Sequence, residues 1–347
     1  MDWIERDRIV PGVENMLRAN LGLRPGERVL VVTDVLSPDR WREYASGDLE
    51  GMLRRSYLAR LVTEVAAASF PESRVDFYAF EATCQSGKEP PPPAAARFKE
   101  TDVLVAIVSF SLSHTAAREE ACRAGVRVAS MPRFIPEMFY PGGPMAVDYT
   151  AIAAETGMIA AWLTAADSAA VRSPDGTDLR FSLRERQGLN DNGLYTAAGS
   201  WGNLPAGEAY VAPVEGSAEG RIVVRRRWFP GLEEEDLVLS FERGEVVKVT
   251  GGGDVGRKLG VFLGLGGTGG RARRQLAELG VGTNPNARRT DIVLEAEKIR
   301  GTVHLAIGDN SHMGGRNAAD FHQDYVIPEA ELILDGVTRM KGGRLLP

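Results

Sequence analysis

Hydrophobic positions along the first 145 residues follow two alternating patterns. Short apolar runs rich in β-branched residues and bounded by turn residues predict buried strands, and longer stretches between them predict helices. The predicted strands lie at residues 28–33, 74–80, 102–109 and 126–131, and the predicted helices at 9–20, 53–68 and 115–124. Strands that alternate with helices form parallel sheets. The pattern therefore predicts a Rossmann-like α/β domain over residues 1–145.

The second half of the chain has a different pattern. After a predicted helical connector at residues 148–164, shorter strands are separated by Gly, Asn and Asp, and glycine is densest from residue 250 to 270. A chain of 347 residues is long enough for two hydrophobic cores. We therefore expect an α/β fold, with a parallel-sheet N-terminal domain and an α+β domain over residues 146–347.

Composition and charge exclude several classes of protein. The net charge is −6 and the basic residues are scattered, which argues against a nucleic-acid partner. No apolar run approaches the roughly 20 residues that span a bilayer, and the charged N-terminus does not fit a signal peptide. We expect a cytoplasmic protein without a membrane partner, acting on a small molecule or a peptide.

Two stretches, residues 251–256 and 264–269, match the G-x-G-x-x-G pattern of dinucleotide-binding loops. Neither follows the first predicted strand, where such a fingerprint belongs. Matches of this kind arise easily in a glycine-rich region. The sequence therefore predicts no nucleotide cofactor.

Histidine usage points to a metal site. Three of the four histidines, His304, His312 and His322, lie within 19 residues, and imidazole is the commonest metal ligand. His322 and Asp324 have the i, i+2 spacing that puts both side chains on one face of a strand. Taken alone, this pair fits a solvated surface strand, and His304 fits a hydrogen-bonded core histidine. The clustering favours metal binding.

Two glutamates are candidate oxygen ligands. Glu278 lies in an otherwise apolar stretch, and a buried carboxylate needs a cation or hydrogen bonds. A metal ion would supply that cation; the alternative is an ordinary glutamate on a helix surface. Glu208 enters a predicted strand from a Gly/Pro loop, and by itself it would be interpreted as a turn residue.

Together these segments resemble the aminopeptidase T family of metallopeptidases. The matches, in order, are Asn-Leu-Pro-Ala-Gly-Glu at 203–208, Ala-Glu-Leu-Gly-Val-Gly-Thr-Asn-Pro at 277–285, Glu-Lys-Ile-Arg-Gly-Thr-Val-His-Leu-Ala-Ile-Gly at 297–308, Gly-Gly-Arg-Asn at 314–317 and His-Gln-Asp at 322–324. The resemblance implies a homodimer with two divalent ions, of zinc, cobalt or manganese. It places the ligands at Glu208, Glu278, His304, His322 and Asp324.

The chain departs from that family at one ligand, a tyrosine expected shortly after Gly308. The sequence there is Asp309-Asn310-Ser311-His312. We therefore expect His312, or alternatively Asp309, to take that position. The departure puts the family's peptidase activity in doubt.

The resemblance predicts a metal-dependent, aminopeptidase-like hydrolase that cleaves an amide bond with metal-activated water. Glu278 is the candidate general base, with Glu297 as a second candidate near the metal. The first alternative is a ring-cleaving dioxygenase of the dihydroxypyridine type. By resemblance, these enzymes belong to the same fold family and hold one Fe(II) with two histidines and an aspartate. The second is a non-catalytic ligand-binding relative. Acids at Glu208 and Glu278 favour the hydrolase. In the dioxygenases the position of Glu208 looks apolar and the position of Glu278 looks like a histidine.

Overall fold

The computed structural model describes residues 4–265, 267 and 270–346. The helices are α1 (Arg6–Asn15), α2 (Ser46–Ser69), α3 (Pro92–Phe98), α4 (Ala116–Arg123), α5 (Tyr149–Ala165), α6 (Gly253–Phe262), α7 (Arg271–Arg274) and α8 (Val293–Ala296). The strands are β1 (Arg28–Val35), β2 (Arg74–Glu81), β3 (Val103–Val108), β4 (Arg127–Pro132), β5 (Ser168–Arg172), β6 (Asp178–Ser182), β7 (Leu189–Asp191), β8 (Trp201–Asn203), β9 (Glu208–Val211), β10 (Glu219–Val224), β11 (Leu237–Glu242), β12 (Glu245–Gly251), β13 (Leu276–Gly282), β14 (Val303–Gly308), β15 (His322–Ile327), β16 (Glu331–Leu334), β17 (Val337–Lys341) and β18 (Arg344–Leu345). Within these residues, no helix has both the length and the apolar character of a bilayer span.

The chain forms two compact units, and the predicted α/β class is confirmed. The first unit contains the residues up to Thr150 and a returning segment, Gly193–Ala206; the second contains Ala151–Asn192 and the residues from Gly207 onward. The returning segment lies in the first unit because β8 pairs with β4. The units are therefore not the two continuous stretches that the sequence suggests.

The first unit is built on a parallel sheet with strand order β2-β1-β3-β4-β8. Every residue of β3 is buried, as expected for a parallel strand with both faces covered. Strands β1 to β4 and helices α1, α2 and α4 correspond to those that the hydrophobic pattern predicts, whereas α3 and β8 are not predicted. The N-terminal half is therefore Rossmann-like in topology.

Asp34 lies where the order of this sheet reverses, between β1 and β3. Its carboxylate accepts hydrogen bonds from the backbone N–H groups of Ser109, at 2.6 Å, and Phe110, at 3.0 Å. Burial raises the pKa of Asp34, and these hydrogen bonds oppose the rise. In other open α/β sheets ligands bind outside the strand ends at this point. Here the carboxylate at the end of β1 is hydrogen-bonded to the backbone that follows β3.

The second unit contains two antiparallel sheets. The larger has the order β12-β11-β10-β6-β5-β16-β17-β18, and the smaller has the order β15-β14-β13-β9-β7. One face of the smaller sheet packs into the hydrophobic core through residues such as Leu279, Val281, Leu305 and Ile307. Because side chains alternate along a strand, the intervening residues lie on the opposite face. That face carries the predicted metal ligands.

The first glycine motif, residues 251–256, joins β12 to α6 in the larger sheet. Gly251, Gly252 and Gly253 all have positive φ, and the N–H of Gly253 donates to Glu235 Oε1 at 2.6 Å. A side chain of the protein thus occupies the start of this helix. The second motif, residues 264–269, lies partly outside the described residues.

Candidate metal centre

One face of the smaller sheet carries acids and histidines that are separated by small residues. On β13 the order is Glu278, Gly280, Gly282, and on β14 His304 is followed on the same face by Ala306 and Gly308. The register pairs Gly282 with Glu208, Ala306 with Asp324, and Gly308 with His322. The small residues leave room above the sheet for the longer side chains. The five predicted ligands therefore share one face.

Glu278 links two groups of potential ligands. Its Oε1 lies 3.3 Å from His304 Nε2 and its Oε2 lies 3.2 Å from His322 Nε2. The first group is completed by Glu208 Oε2, 3.2 Å from His304 Nε2, and the second by Asp324 Oδ1, 3.5 Å from His322 Nε2. In each group the ligand atoms lie within 4.8 Å of one another. The geometry offers places for one or two cations.

The two histidines are held differently. His322 Nδ1 lies 2.7 Å from the carbonyl oxygen of Asp309. With its proton on Nδ1, the ring donates to that carbonyl and turns the lone pair of Nε2 toward the acids, as metal-binding histidines commonly do. His304 Nδ1 is buried and has no hydrogen-bond partner among the described residues. His322 is therefore the better-oriented candidate ligand.

Gly280 makes space for the His304 ring. The two residues are register partners on β13 and β14, and a Cβ atom on Gly280 would lie 1.9 Å from His304 Nε2. The backbone of Gly280 does not have positive φ, so the position requires glycine for space. The imidazole thus lies directly over Gly280.

Electrostatics favour a cation at this face. Burial alone would raise the pKa of Glu278, but hydrogen bonds from His304 and His322 lower it to about 2. Burial alone would lower the pKa of His304, whereas Glu208 and Glu278 raise it well above the usual value. Ionised carboxylates that are buried next to imidazole need positive charge. The oxygen and nitrogen donors present fit a divalent metal ion.

Glu208 and Glu297 are held by a buried lysine that the sequence analysis did not identify. Lys298 Nζ lies 2.5 Å from Glu208 Oε1, 2.8 Å from Glu297 Oε1 and 3.9 Å from Asp191 Oδ2. Burial and the charges of Asp324 and Glu208 raise the pKa of Glu297, although Lys298 acts in the opposite direction. Glu297, predicted as a possible base, thus lies within a buried charge cluster.

His312 lies outside both ligand groups formed by the described residues. Its Nδ1 is 2.7 Å from Asp309 Oδ2, and its ring stands edge-on to His322 with the ring centroids 5.8 Å apart. Asp309 contributes its carbonyl oxygen to His322 and its carboxylate to His312. The structure therefore places His312 beside a candidate ligand instead of within the ligand groups.

The fold and this site together define an α/β protein whose candidate metal ligands lie on an antiparallel sheet. The family model described as NicX, 2,5-dihydroxypyridine 5,6-dioxygenase, matches residues 14–347. The chain therefore belongs to this family. It is 26% identical over 260 residues to 2,5-dihydroxypyridine 5,6-dioxygenase of Pseudomonas putida KT2440, which covers 70% of each chain.

Two solved structures share the fold. The 2,5-dihydroxypyridine dioxygenase from Pseudomonas putida KT2440 matches with a TM-score of 0.73 at 17% identity, covering 99% of this chain and 98% of that one. Wild-type AmpT from Thermus thermophilus matches with a TM-score of 0.63 at 17% identity, covering 99% of this chain and 100% of that one. The resemblance to aminopeptidase T thus holds at the level of the fold.

The prediction of an aminopeptidase-like hydrolase is wrong. The family match over most of the chain and the similarity to a dioxygenase both support the alternative, a ring-cleaving dioxygenase. The acids at Glu208 and Glu278 favour hydrolysis only if the type of ligand determines the reaction. Ligand types restrict the metal more than they restrict the chemistry performed at it.

Proposed function

We propose that this chain is a metal-dependent dioxygenase that opens the ring of a hydroxylated pyridine, with 2,5-dihydroxypyridine as the first substrate to test. Membership of the dioxygenase family over residues 14–347 carries the proposal. The second group of ligands, Glu278, His322 and Asp324, supports it because these three side chains converge on one face of the sheet.

The spacing of these three side chains fits one metal ion. Two donors that are each about 2.1 Å from an ion at right angles stand about 3 Å apart. The nitrogen-to-oxygen distances from His322 to Glu278 and Asp324 are 3.2 and 3.5 Å. Non-haem iron oxygenases commonly use two histidines and one carboxylate on one side of the ion. Here Glu278 supplies a second carboxylate in place of one histidine.

The chain's own residues orient and isolate the site. The carbonyl of Asp309 fixes the His322 ring, and His304 holds the second oxygen of Glu278. Glu278 and His304 are buried, while His322 and Asp324 are partly accessible. A ferrous ion held here would pass electrons from the hydroxylated ring to dioxygen, which allows the two to react. The partly open side at β15 is where a substrate would approach.

The test is oxygen uptake by the protein after anaerobic loading with Fe(II). We expect consumption of one dioxygen per 2,5-dihydroxypyridine and a ring-opened product heavier than the substrate by two oxygen atoms. Because it removes a ligand, Asp324→Ala should lower iron content and the rate by more than about 100-fold. Gln323→Ala is the matched control, since this residue alternates to the other face between His322 and Asp324.

Iron-loaded protein that consumes no dioxygen with 2,5-dihydroxypyridine or related dihydroxylated rings would overturn the proposed reaction. Full iron loading and activity in Asp324→Ala would overturn the assignment of the ligands instead. Metal analysis of the protein before loading would show which divalent ion it retains.

A further inference from the structure

Tyr210 lies on the same face as the candidate metal ligands. It follows Glu208 by two residues on β9, so both side chains project to one side of the sheet. Its register partner on β13 is Gly280, whose partner on β14 is His304. Tyr210, Gly280 and His304 therefore form one row across the sheet. Since Gly280 has no side chain, nothing from β13 stands between the other two.

The surroundings of Tyr210 suit a hydrogen-bond donor. The residue is half-buried, and its hydroxyl makes no hydrogen bond to any residue that the structure describes. The register places the phenol on the face that carries Glu208 and Glu278. A phenol hydroxyl can donate one hydrogen bond.

The site face has few donors available to a ligand. Carboxylates accept hydrogen bonds only, so the acids repel an ionised oxygen on a substrate. Lys298 already contacts Glu208 and Glu297, and His304 Nε2 lies between Glu208 and Glu278. A hydroxylated ring at the metal would need a donor for the oxygen that the metal does not bind. Tyr210 can provide one.

We infer that Tyr210 is a substrate-binding residue whose hydroxyl donates a hydrogen bond to an oxygen atom of the hydroxylated ring. The inference rests on the metal site and the substrate class proposed above. A hydrogen bond to a ring oxygen orients the ring in its plane, and fixed orientation lowers the barrier to reaction. Tyr210 thus selects hydroxylated rings over rings that lack this oxygen.

The experiment compares Tyr210→Phe with Tyr325→Phe in iron-loaded protein. Tyr325 lies on the opposite face of β15 from His322 and Asp324, buried in the core and stacked on Phe229 with ring centroids 5.4 Å apart. The probe is 4-nitrocatechol, a hydroxylated ring whose binding is followed by absorbance without oxygen. We expect Tyr210→Phe to raise the Kd about tenfold because one hydrogen bond is lost. Tyr325→Phe should leave the Kd unchanged.

Iron content and urea unfolding should be unchanged in Tyr210→Phe, and KM for 2,5-dihydroxypyridine should rise by a similar factor. An unchanged Kd for 4-nitrocatechol, or a loss of iron, would overturn the inference. Wild-type protein that does not bind 4-nitrocatechol would overturn it as well. The two proposals can also fail separately. If Tyr210→Phe binds 4-nitrocatechol about tenfold more weakly but the wild-type protein takes up no oxygen, the role of Tyr210 stands and the proposed reaction is rejected.

Discussion

The central strands of the parallel sheet in the first unit and of the smaller sheet in the second unit are buried to a similar extent but differ in chemistry. All residues of β3, β13 and β14 are buried. Strand β3 is apolar at every position, whereas β13 and β14 alternate core residues with Glu278, His304 and small residues. Burial therefore stabilises the first sheet by apolar packing, whereas in the second sheet it carries the cost of burying ionised side chains.

The second sheet offsets that cost by mutual neutralisation. Lys298 contacts two buried acids, and the histidines lie between the remaining ones. Buried charges are tolerated only when they are paired or bind a metal. An apolar face would fold at lower cost, so these acids fit a binding role better than a structural one.

The largest expected effect on stability is at Lys298. Changing Lys298→Met keeps much of the side chain's volume but leaves Glu208 and Glu297 without their common cation. We expect the free energy of unfolding to fall by about 3–5 kcal/mol, as when one partner of a buried ion pair is removed. Urea unfolding followed by circular dichroism measures it.

Arg300→Met is the matched control for that prediction. Arg300 pairs with Glu155 at 3.0 Å, but its side chain is 55% exposed. Exposed pairs contribute at most about 1 kcal/mol. An equal loss in the free energy of unfolding in the two variants would show that burial does not strengthen the ion pairs of Lys298.

The next effect separates packing from chemistry. Leu104→Ala opens a cavity in the core of the first unit, and Leu305→Ala does so on the core face of β14. Each should cost about 2–5 kcal/mol in the free energy of unfolding. Only Leu305→Ala should also weaken iron binding, because its strand carries His304. Iron loss in Leu104→Ala, seen by elemental analysis, would contradict this separation.

A smaller effect is expected from filling the space over β13. In Gly280→Ala the new Cβ would displace the His304 ring from Glu278. We expect iron affinity to fall roughly tenfold, because His304 supports a ligand without being one of the three proposed. Gly157→Ala in α5 is the control, since a Cβ there meets nothing within 4 Å. Unchanged iron affinity in Gly280→Ala would show that His304 has no part in positioning Glu278.

The sequence predicts the first sheet well because its strands are continuous apolar runs with clear boundaries. It does not predict the return of residues 193–206, since the pairing of β8 with β4 joins segments about 70 residues apart. The candidate ligands on β15 follow from the i, i+2 spacing of His322 and Asp324. The same spacing from Glu208 would have indicated Tyr210.

Other members of the site depend on contacts that sequence spacing does not reveal. Lys298 follows Glu297 directly, and only the fold shows that its ammonium group reaches Glu208. The role of Gly280 needs the register of β13 with β14. The reaction could not be read from the ligands, because acids at Glu208 and Glu278 occur here in a dioxygenase family.

The smallest expected effect on stability is at His312, which tests where the metal-binding face ends. The side chain is exposed and bonds to Asp309 beside His322. His312→Ala should change the free energy of unfolding by less than about 0.5 kcal/mol and leave iron content unchanged. The rate of oxygen uptake should fall, because the ring that borders His322 is lost. Asn317→Ala would not serve as a control for this variant. The Asn317 amide donates hydrogen bonds to the carbonyls of Ala272 and Gly308, so its removal disturbs the loop. Iron loss in His312→Ala would instead make His312 a ligand and extend the site beyond the strands.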